Sequence, residues 1–549
     1  MVSFEAVELP RVSFPVGLAL VAGVAIALRL LWRSDPNKPP MLSDVVPYIS
    51  NTYQYMGNMD RFLARAKEAV KLKNIVGFHL GPKNFFIITG PQNIQALFRT
   101  SPHIDFEVFL LIAIESLWRA SPEDYAKFKN DKSGRSATPA KGCENQPESK
   151  RYWYTLHRVL HKYLETTQYA TMLARHYQRF FSEYLEQRPQ GEWTEQTIMG
   201  LMKYDMAKAA IVASLGTHLF DMHPNLLDMA WPYDEVLVTL LFKPPRWLFR
   251  RAARIQDNFH AAISKYFVDA NERFDWNGPD ADADWEPIFG SRYFRELVKW
   301  MKASELSLQT CAGITSTTGI MGLNANSVPV CAWALMELVQ DQELLGAVRD
   351  EVSTAFTTDP ETGKRTLDSQ KVLTLPLLQA VYVEVLRMHV SMNITRAATK
   401  PLEVEGYTLP AQSILQAPTQ ISHYNESVWG VEGHPATEFW AYRNIKYVEE
   451  KNPETGETKQ VPRFEMRGRP TDFFPYGGGI AICPGRHFAK QEIMLSLALI
   501  VSKFEIEFLG WEKFDGSPSD RPPKEDSKYA GAAAVPPDRD MRVRWKRIW

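Results

Sequence analysis

The stretch 473-FFPYGGGIAICPGRHFAKQE-492 places a cysteine inside a glycine-rich loop and runs directly into a helix-forming sequence. Gly477, Gly478 and Gly479 permit close backbone approach and unusual dihedrals. Pro484 and Gly485 shape the exit, and RHFAKQEIMLSLALIVSKF beyond them carries a helical pattern. Cys483 therefore lies beside a helix N-terminus, where amide donors and the helix dipole stabilise a thiolate. A buried structural thiol needs neither feature. By itself the loop supports a reactive cysteine or a metal ligand and leaves the chemistry open.

The rest of the chain narrows the choice. A sequence of 549 residues, 45% hydrophobic and 23% charged, is globular and long enough to bury a large core. Sixty-three basic against sixty-four acidic side chains leave a formal charge of -1, so charge gives no argument for a nucleic-acid partner. Cys143, Cys311, Cys331 and Cys483 show neither paired metal-ligand spacing nor a secreted disulfide pattern, which points to a reducing compartment.

FPVGLALVAGVAIAL, Phe14 to Leu28, extends to Trp32 if Arg29 snorkels, long enough for a tilted or slightly short membrane span. No small-residue cleavage site follows, so residues 1–32 are expected to hold an uncleaved transmembrane anchor. Arg29, Arg33 and Lys38 behind the span place the body on the cytoplasmic side. Residues 33–40, with the sequence DPNKPP, form a Pro-rich connector, and 41–549 form one large catalytic domain. That domain reads as mainly α with small β-sheets. IVGFHLG and NFFIITG make a hairpin around Pro82 and Lys83, a helix starts near Pro91, 123–150 is a surface loop, and long helices are expected over 151–184, 254–273, 291–305 and 331–353.

In LPLLQAVYVEVLRMH, Glu384 and Arg387 stand three residues apart on one helical face amid apolar neighbours. Arg443 in HPATEFWAYRNI offers a second guanidinium to the same carboxylate. A buried network and a surface salt bridge both remain open at this point.

Taken together, PYGGGIAICPGRHFA, EVLR and FWAYR resemble the haem-thiolate signature of the cytochrome P450 superfamily, over essentially the whole chain behind the anchor. The resemblance implies a P450 fold, haem b (iron protoporphyrin IX) with Cys483 as the iron ligand, and Glu384, Arg387 and Arg443 as a structural triad. It also implies propionate contacts from Arg396 and, in RYWYTLHRVLHKYL, from Trp153 and from His157 or Arg158. Two positions depart from the pattern: Tyr476 replaces the usual Phe, and Ala481 sits where a basic residue is common.

In GIMGLNANSVPVCAWALMELVQDQE the family's acid position becomes Ala325 and its alcohol position Asn326, with Ser327 next to it, so Asn326 and Ser327 are the catalytic candidates. Pro329 would free the carbonyl of Ala325 and kink the helix. AGITSTT from Ala312 also matches the motif but lies one segment too early. The run NANSVP, with Trp333 and ICPGR, is similar to the branch of sterol 7-alpha- and 12-alpha-hydroxylases and prostacyclin synthase, in a eukaryotic, membrane-anchored form with fungi among its sources.

The expected activity is monooxygenation, with hydroxylation foremost, of a sizeable apolar steroid, terpenoid or lipid-like metabolite. Electrons would come from NADPH through cytochrome P450 reductase, with cytochrome b5 a second donor the resemblance allows, at the endoplasmic reticulum membrane. The same branch leaves open an isomerase or dehydratase that needs no external electrons. A haem sensor without turnover is a further class, distinguished by reversible oxygen binding without product.

Overall fold

The computed structural model describes residues 37–99, 103–451 and 457–549. The expected anchor lies outside them. Among the described residues no helix is long and apolar enough to cross a membrane. The chain divides into two compact units, where the sequence suggested one domain behind the connector.

The smaller unit holds 37–97, 103–105 and Thr395–Pro418. Its hairpin pairs Ile75–Leu80 with Lys83–Ile88 in antiparallel register, Leu80 opposite Lys83, and Ile414–Pro418 adds a parallel strand. Alternation puts Phe78 and Phe85 on the face covered by helix Met59–Val70, where they pack with Tyr55 and Phe62 at ring separations of 4.8–6.4 Å.

The larger unit is helical around one buried core. Arg486–Lys503 is buried on all sides from Gln491 onward, which is why its sequence is apolar all round. It packs against Thr167–Glu186, Ser327–Gln340 and Gln342–Ser353. A four-stranded sheet in the order Pro518–Ser519, Phe504–Glu512, Asp540–Arg547, Trp193–Thr197 continues directly from that helix.

Several expected helices end sooner than the apolar pattern suggests. The run over 151–184 is two helices, Tyr152–Leu164 and Thr167–Glu186, parted where Thr166 turns extended and its hydroxyl donates to the Lys162 carbonyl at 2.6 Å. The run over 331–353 breaks at Asp341, whose side chain accepts the Leu344 amide at 2.9 Å and caps Gln342–Ser353. The expected loop 123–150 contains helix Pro122–Asn130, capped by Ser121, so that expectation is corrected.

Candidate active site

The cysteine loop is built by backbone bonds that glycine makes feasible. Gly479 has φ +67°, and a Cβ there would stand 2.0 Å from the Phe98 carbonyl oxygen. At Gly478 a Cβ would meet the Phe98 ring at 2.5 Å. The Cys483 amide donates to the Tyr476 carbonyl at 3.0 Å, closing the loop before the single turn Gly485 leads into Arg486–Lys503. Cys483 itself is exposed. Its sulfur is nevertheless surrounded closely enough that burial pushes the thiol up, opposed by the amides of Gly485 and Arg486 and by the Arg486 guanidinium. Those opposing groups are the donors a thiolate needs.

Behind the loop, Glu384, Arg387 and Arg443 form one buried network. Arg387 donates to both carboxylate oxygens of Glu384 at 2.9 and 2.7 Å, and Arg443 Nε donates to Oε1 at 2.9 Å. All three side chains are inaccessible to solvent. The remaining guanidinium hydrogens reach main-chain carbonyls, among them His423, Ala436 and Glu438 from Arg387, and His434 and Pro435 from Arg443. The surface salt bridge that the sequence left open is excluded by this burial.

His423 ties that network to the loop, and nothing in the sequence singled it out. Its Nδ1 lies 3.1 Å from the Arg387 carbonyl, and its Nε2 accepts the Phe474 amide at 3.2 Å. The ring must therefore be neutral with its proton on Nδ1. Burial agrees, pushing its pKa down to about 3.

Helix Tyr152–Leu164 carries the other expected cofactor contacts, and they divide. Trp153 is buried, but its indole N–H donates to the Phe128 carbonyl at 3.0 Å, so its one polar hydrogen is spent within the protein. Arg158 is half-exposed and ion-paired with Glu148. His157 differs from both. Its Nε2 is buried, and burial with the nearby His161 and Arg135 holds its pKa down to about 4, opposed by the main chain of Ile480. It lines a cavity of about 660 Å³ together with Arg135, His161 and Ile480 of the cysteine loop. Arg135, inside the stretch read as a surface loop, lies with its guanidinium 5.5 Å from the Trp153 ring centre. Arg396 belongs to the smaller unit, where it is buried and donates to the Thr395 carbonyl at 2.9 Å.

The central helix run is irregular where its sequence is unusual. Leu308–Ile314 passes into a π-helical stretch, Thr315–Met321, then Gly322–Asn324, and regular helix resumes only at Ser327. The interruption precedes Pro329 by the interval at which proline removes a helical hydrogen bond. The upstream match AGITSTT coincides with the π-helical entry, a local widening that recurs at functional sites. Gly322 and Asn326, four residues apart, are exposed although the residues around them are mostly buried. The Asn326 Oδ1 accepts the Ala534 amide at 3.0 Å, so only its NH₂ remains for other partners. Ser327 does not share that face: it is buried and its hydroxyl donates to the Leu323 carbonyl at 2.6 Å.

A presented cysteine sulfur beside the Gly485 and Arg486 amides, backed by a buried carboxylate–guanidinium network and set in one unit with a broken central helix, is an arrangement that suits a thiolate-ligated metal centre. The cytochrome P450 family model matches residues 153–519. Over 533 residues, 97% of each chain, the protein is 45% identical to cytochrome P450 monooxygenase calL of Penicillium decumbens. It is 26% identical to cytochrome P450 monooxygenase fsoE of Humicola fuscoatra over 93% of this chain and 88% of that one. Cholesterol 7-alpha-monooxygenase of Cricetulus griseus is 29% identical over 233 residues, 40% of this chain and 42% of that one, so the likeness to the sterol branch is distant. Among solved structures, retinoic acid bound cyanobacterial CYP120A1 superposes with a TM-score of 0.63 at 15% identity, covering 94% of this chain and 100% of that one. The chain belongs to the cytochrome P450 family and is one of its monooxygenases.

Family membership implies a haem-thiolate iron group, and the residues fit one. Cys483 supplies the exposed sulfur, and the buried His157 Nε2 supplies a group able to meet a carboxylate. A coordinating cation would favour the Cys483 thiolate and offset the effect of burial on it.

Proposed function

We propose that the protein hydroxylates a sizeable apolar metabolite of steroid, terpenoid or similar lipid-like type, with haem b held by Cys483 and electrons from NADPH through a membrane-bound diflavin reductase. When bound, the haem supplies the activation of dioxygen. The chain supplies everything else. Cys483 donates charge, His157 meets a propionate, and the face carrying Gly322 and Asn326 presents one amide NH₂ to orient water for proton delivery.

The observation that carries this reading is that Gly322–Asn326 face, open within an otherwise buried helix of the same unit as Cys483. An apolar substrate is supported by helix Glu107–Ser116, whose Phe109, Leu110, Leu111 and Ile112 are all only partly buried. The distant relative named for cholesterol favours a polycyclic compound.

Membrane association is supported by Leu241, Phe242, Trp247, Leu248 and Phe249, all exposed in the connection between helices Leu226–Leu241 and Arg250–Arg273, with Trp247 73% and Leu248 62% exposed. For reductase docking, exposed Lys162 is the clearest available cation. Arg486 is engaged with Glu165 and the Cys483 carbonyl, and the partly buried Lys490 donates to Gln379.

The test is turnover of a panel of apolar metabolites by the haem-loaded full chain, with and without reductase, under labelled dioxygen. Label in the product together with reductase dependence supports the proposal. A mass-neutral product formed without reductant overturns it in favour of isomerisation.

A further inference from the structure

A second cavity, of about 450 Å³, lies in the smaller unit along helices Ser50–Gly57 and Met59–Val70 and shares no residue with the cysteine site. Ser50, Tyr53, Gln54, Asn58, Arg61 and Arg65 line it. Two guanidinium groups meet there without a carboxylate to neutralise them. Arg65 donates only to neutral acceptors: the Asn51 side-chain oxygen at 3.2 Å, the Ser43 carbonyl at 2.6 Å, the Ser43 hydroxyl at 3.3 Å and the Gln54 side chain. Arg61, one helical turn before it, is exposed, and among the described residues its guanidinium has neither a hydrogen bond nor an ion pair. Like charges four residues apart on a helix repel, a cost that an anion held between them removes. Asp44 and Glu68 are engaged elsewhere: Asp44 accepts the Tyr48 and Asn51 amides at 3.0 and 3.1 Å, and Glu68 pairs with Lys71 at 2.7 Å.

Beside the cavity the surface is apolar. Ile49, Tyr53 and Met56 recur at spacings of four and three along the first helix and its entry, and all three stand exposed, Tyr53 by 80%. Residues 37–97 carry seven basic and three acidic side chains in a chain of net charge -1, and the apolar run Phe14–Trp32 leads into them through the connector. A cationic pocket bordered by exposed apolar side chains matches a lipid at a membrane surface, whose phosphate meets guanidinium while its acyl carbons meet the apolar residues. We propose that this cavity binds the phosphate of an anionic phospholipid, with Arg61 and Arg65 as donors and Ile49, Tyr53 and Met56 against the acyl boundary. The ligand chemistry is a phosphate ester, and the apolar border favours a lipid over free phosphate. The inference rests on the proposed membrane association. One headgroup does not hold the chain on a surface. It selects which lipid stands beside the protein once the apolar segments have brought it there.

The test uses full-length, haem-loaded protein reconstituted into phosphatidylcholine vesicles that carry a trace of photoactivatable phosphatidylserine or of photoactivatable phosphatidylcholine, followed by mapping of the labelled peptides. In wild type the phosphatidylserine probe is expected to label residues 49–65 about fivefold more than the phosphatidylcholine probe. Arg61→Gln should lose that preference, and Lys73→Gln, which removes the same charge outside the cavity, should keep it. Arg61 is exposed, so its replacement leaves the fold intact, and equal haem content in all three forms verifies this. Equal labelling by the two probes in wild type, or equal losses in the two variants, overturns the pocket. A preference erased by inorganic phosphate at constant ionic strength makes free phosphate the ligand and overturns the lipid assignment. A wild type that neither probe labels anywhere overturns the membrane reading itself, and the proposal with it, so the two failures are told apart.

Discussion

Glu492 sits fully buried on the helix that follows Cys483, near the Ser327 hydroxyl, which donates to the Leu323 carbonyl and only partly offsets the cost of burying the carboxylate. Burial pushes its carboxyl up to about 8. The folded protein therefore keeps a proton that the unfolded chain releases, and stability falls as pH rises between the unfolded value of 4.5 and the folded value of about 8. Relative to Glu492→Gln, which has no such proton, the wild type is expected to lose about 1.4 kcal/mol per pH unit across that window, measured by denaturant unfolding of both proteins at several pH values. Parallel pH dependences would contradict the assignment. Asn326 calls for a different substitution. Asn326→Leu would strand the Ala534 amide at a cost of about 1–3 kcal/mol, mixing stability with catalysis. Asn326→Asp keeps that acceptor and replaces the NH₂ donor with a carboxylate oxygen, so it should fold normally, and loss of the amide donor is expected to change the hydrogen peroxide released per NADPH consumed. Unchanged coupling would remove Asn326 from proton delivery.

At the scale of elements, two stretches well separated in sequence build this network: helix Pro376–His389 supplies Glu384 and Arg387, and 434–444 supplies Arg443 and carbonyls that accept from both guanidinium groups. Glu384→Ala leaves two buried guanidinium groups without their counter-charge, and a loss of about 3–5 kcal/mol is expected, seen as a lower unfolding midpoint and poor haem loading. A variant with wild-type stability would show the carboxylate to be dispensable. The residues of this network were readable from sequence because each sits in a short motif with local meaning. Its burial was not, since Glu384 and Arg387 at a spacing of three look the same on a surface helix. The same limit explains Arg135 and His423, which reach the site through long-range packing and belong to no local pattern. It explains the different settings of Asn326 and Ser327 as well: neighbours in sequence, one is exposed and the other buried, because neighbouring residues on a helix point to different sides. Helix ends at Thr166 and Asp341 were missed because apolar periodicity continues through both, while a side-chain hydrogen bond decides where the backbone turns.

On the scale of the whole molecule, the exposed apolar connection 241–249 and the apolar stretch Phe14–Leu28 are two separate claims to a membrane. Removing residues 1–32 should weaken binding to anionic lipid vesicles without abolishing it, and adding Trp247→Ser and Leu248→Ser should abolish what remains, as measured by co-flotation. Full binding after both changes would contradict this account. Everything else depends on one bond, from the Cys483 sulfur to haem iron. The most direct test is the reduced carbonyl spectrum of the purified full chain, recorded for wild type and Cys483→Ala. Thiolate ligation predicts a band at about 450 nm in the wild type, absent from the variant. A wild-type band at the shorter wavelength of nitrogen-ligated haem, or an unchanged band in Cys483→Ala, would contradict the assignment.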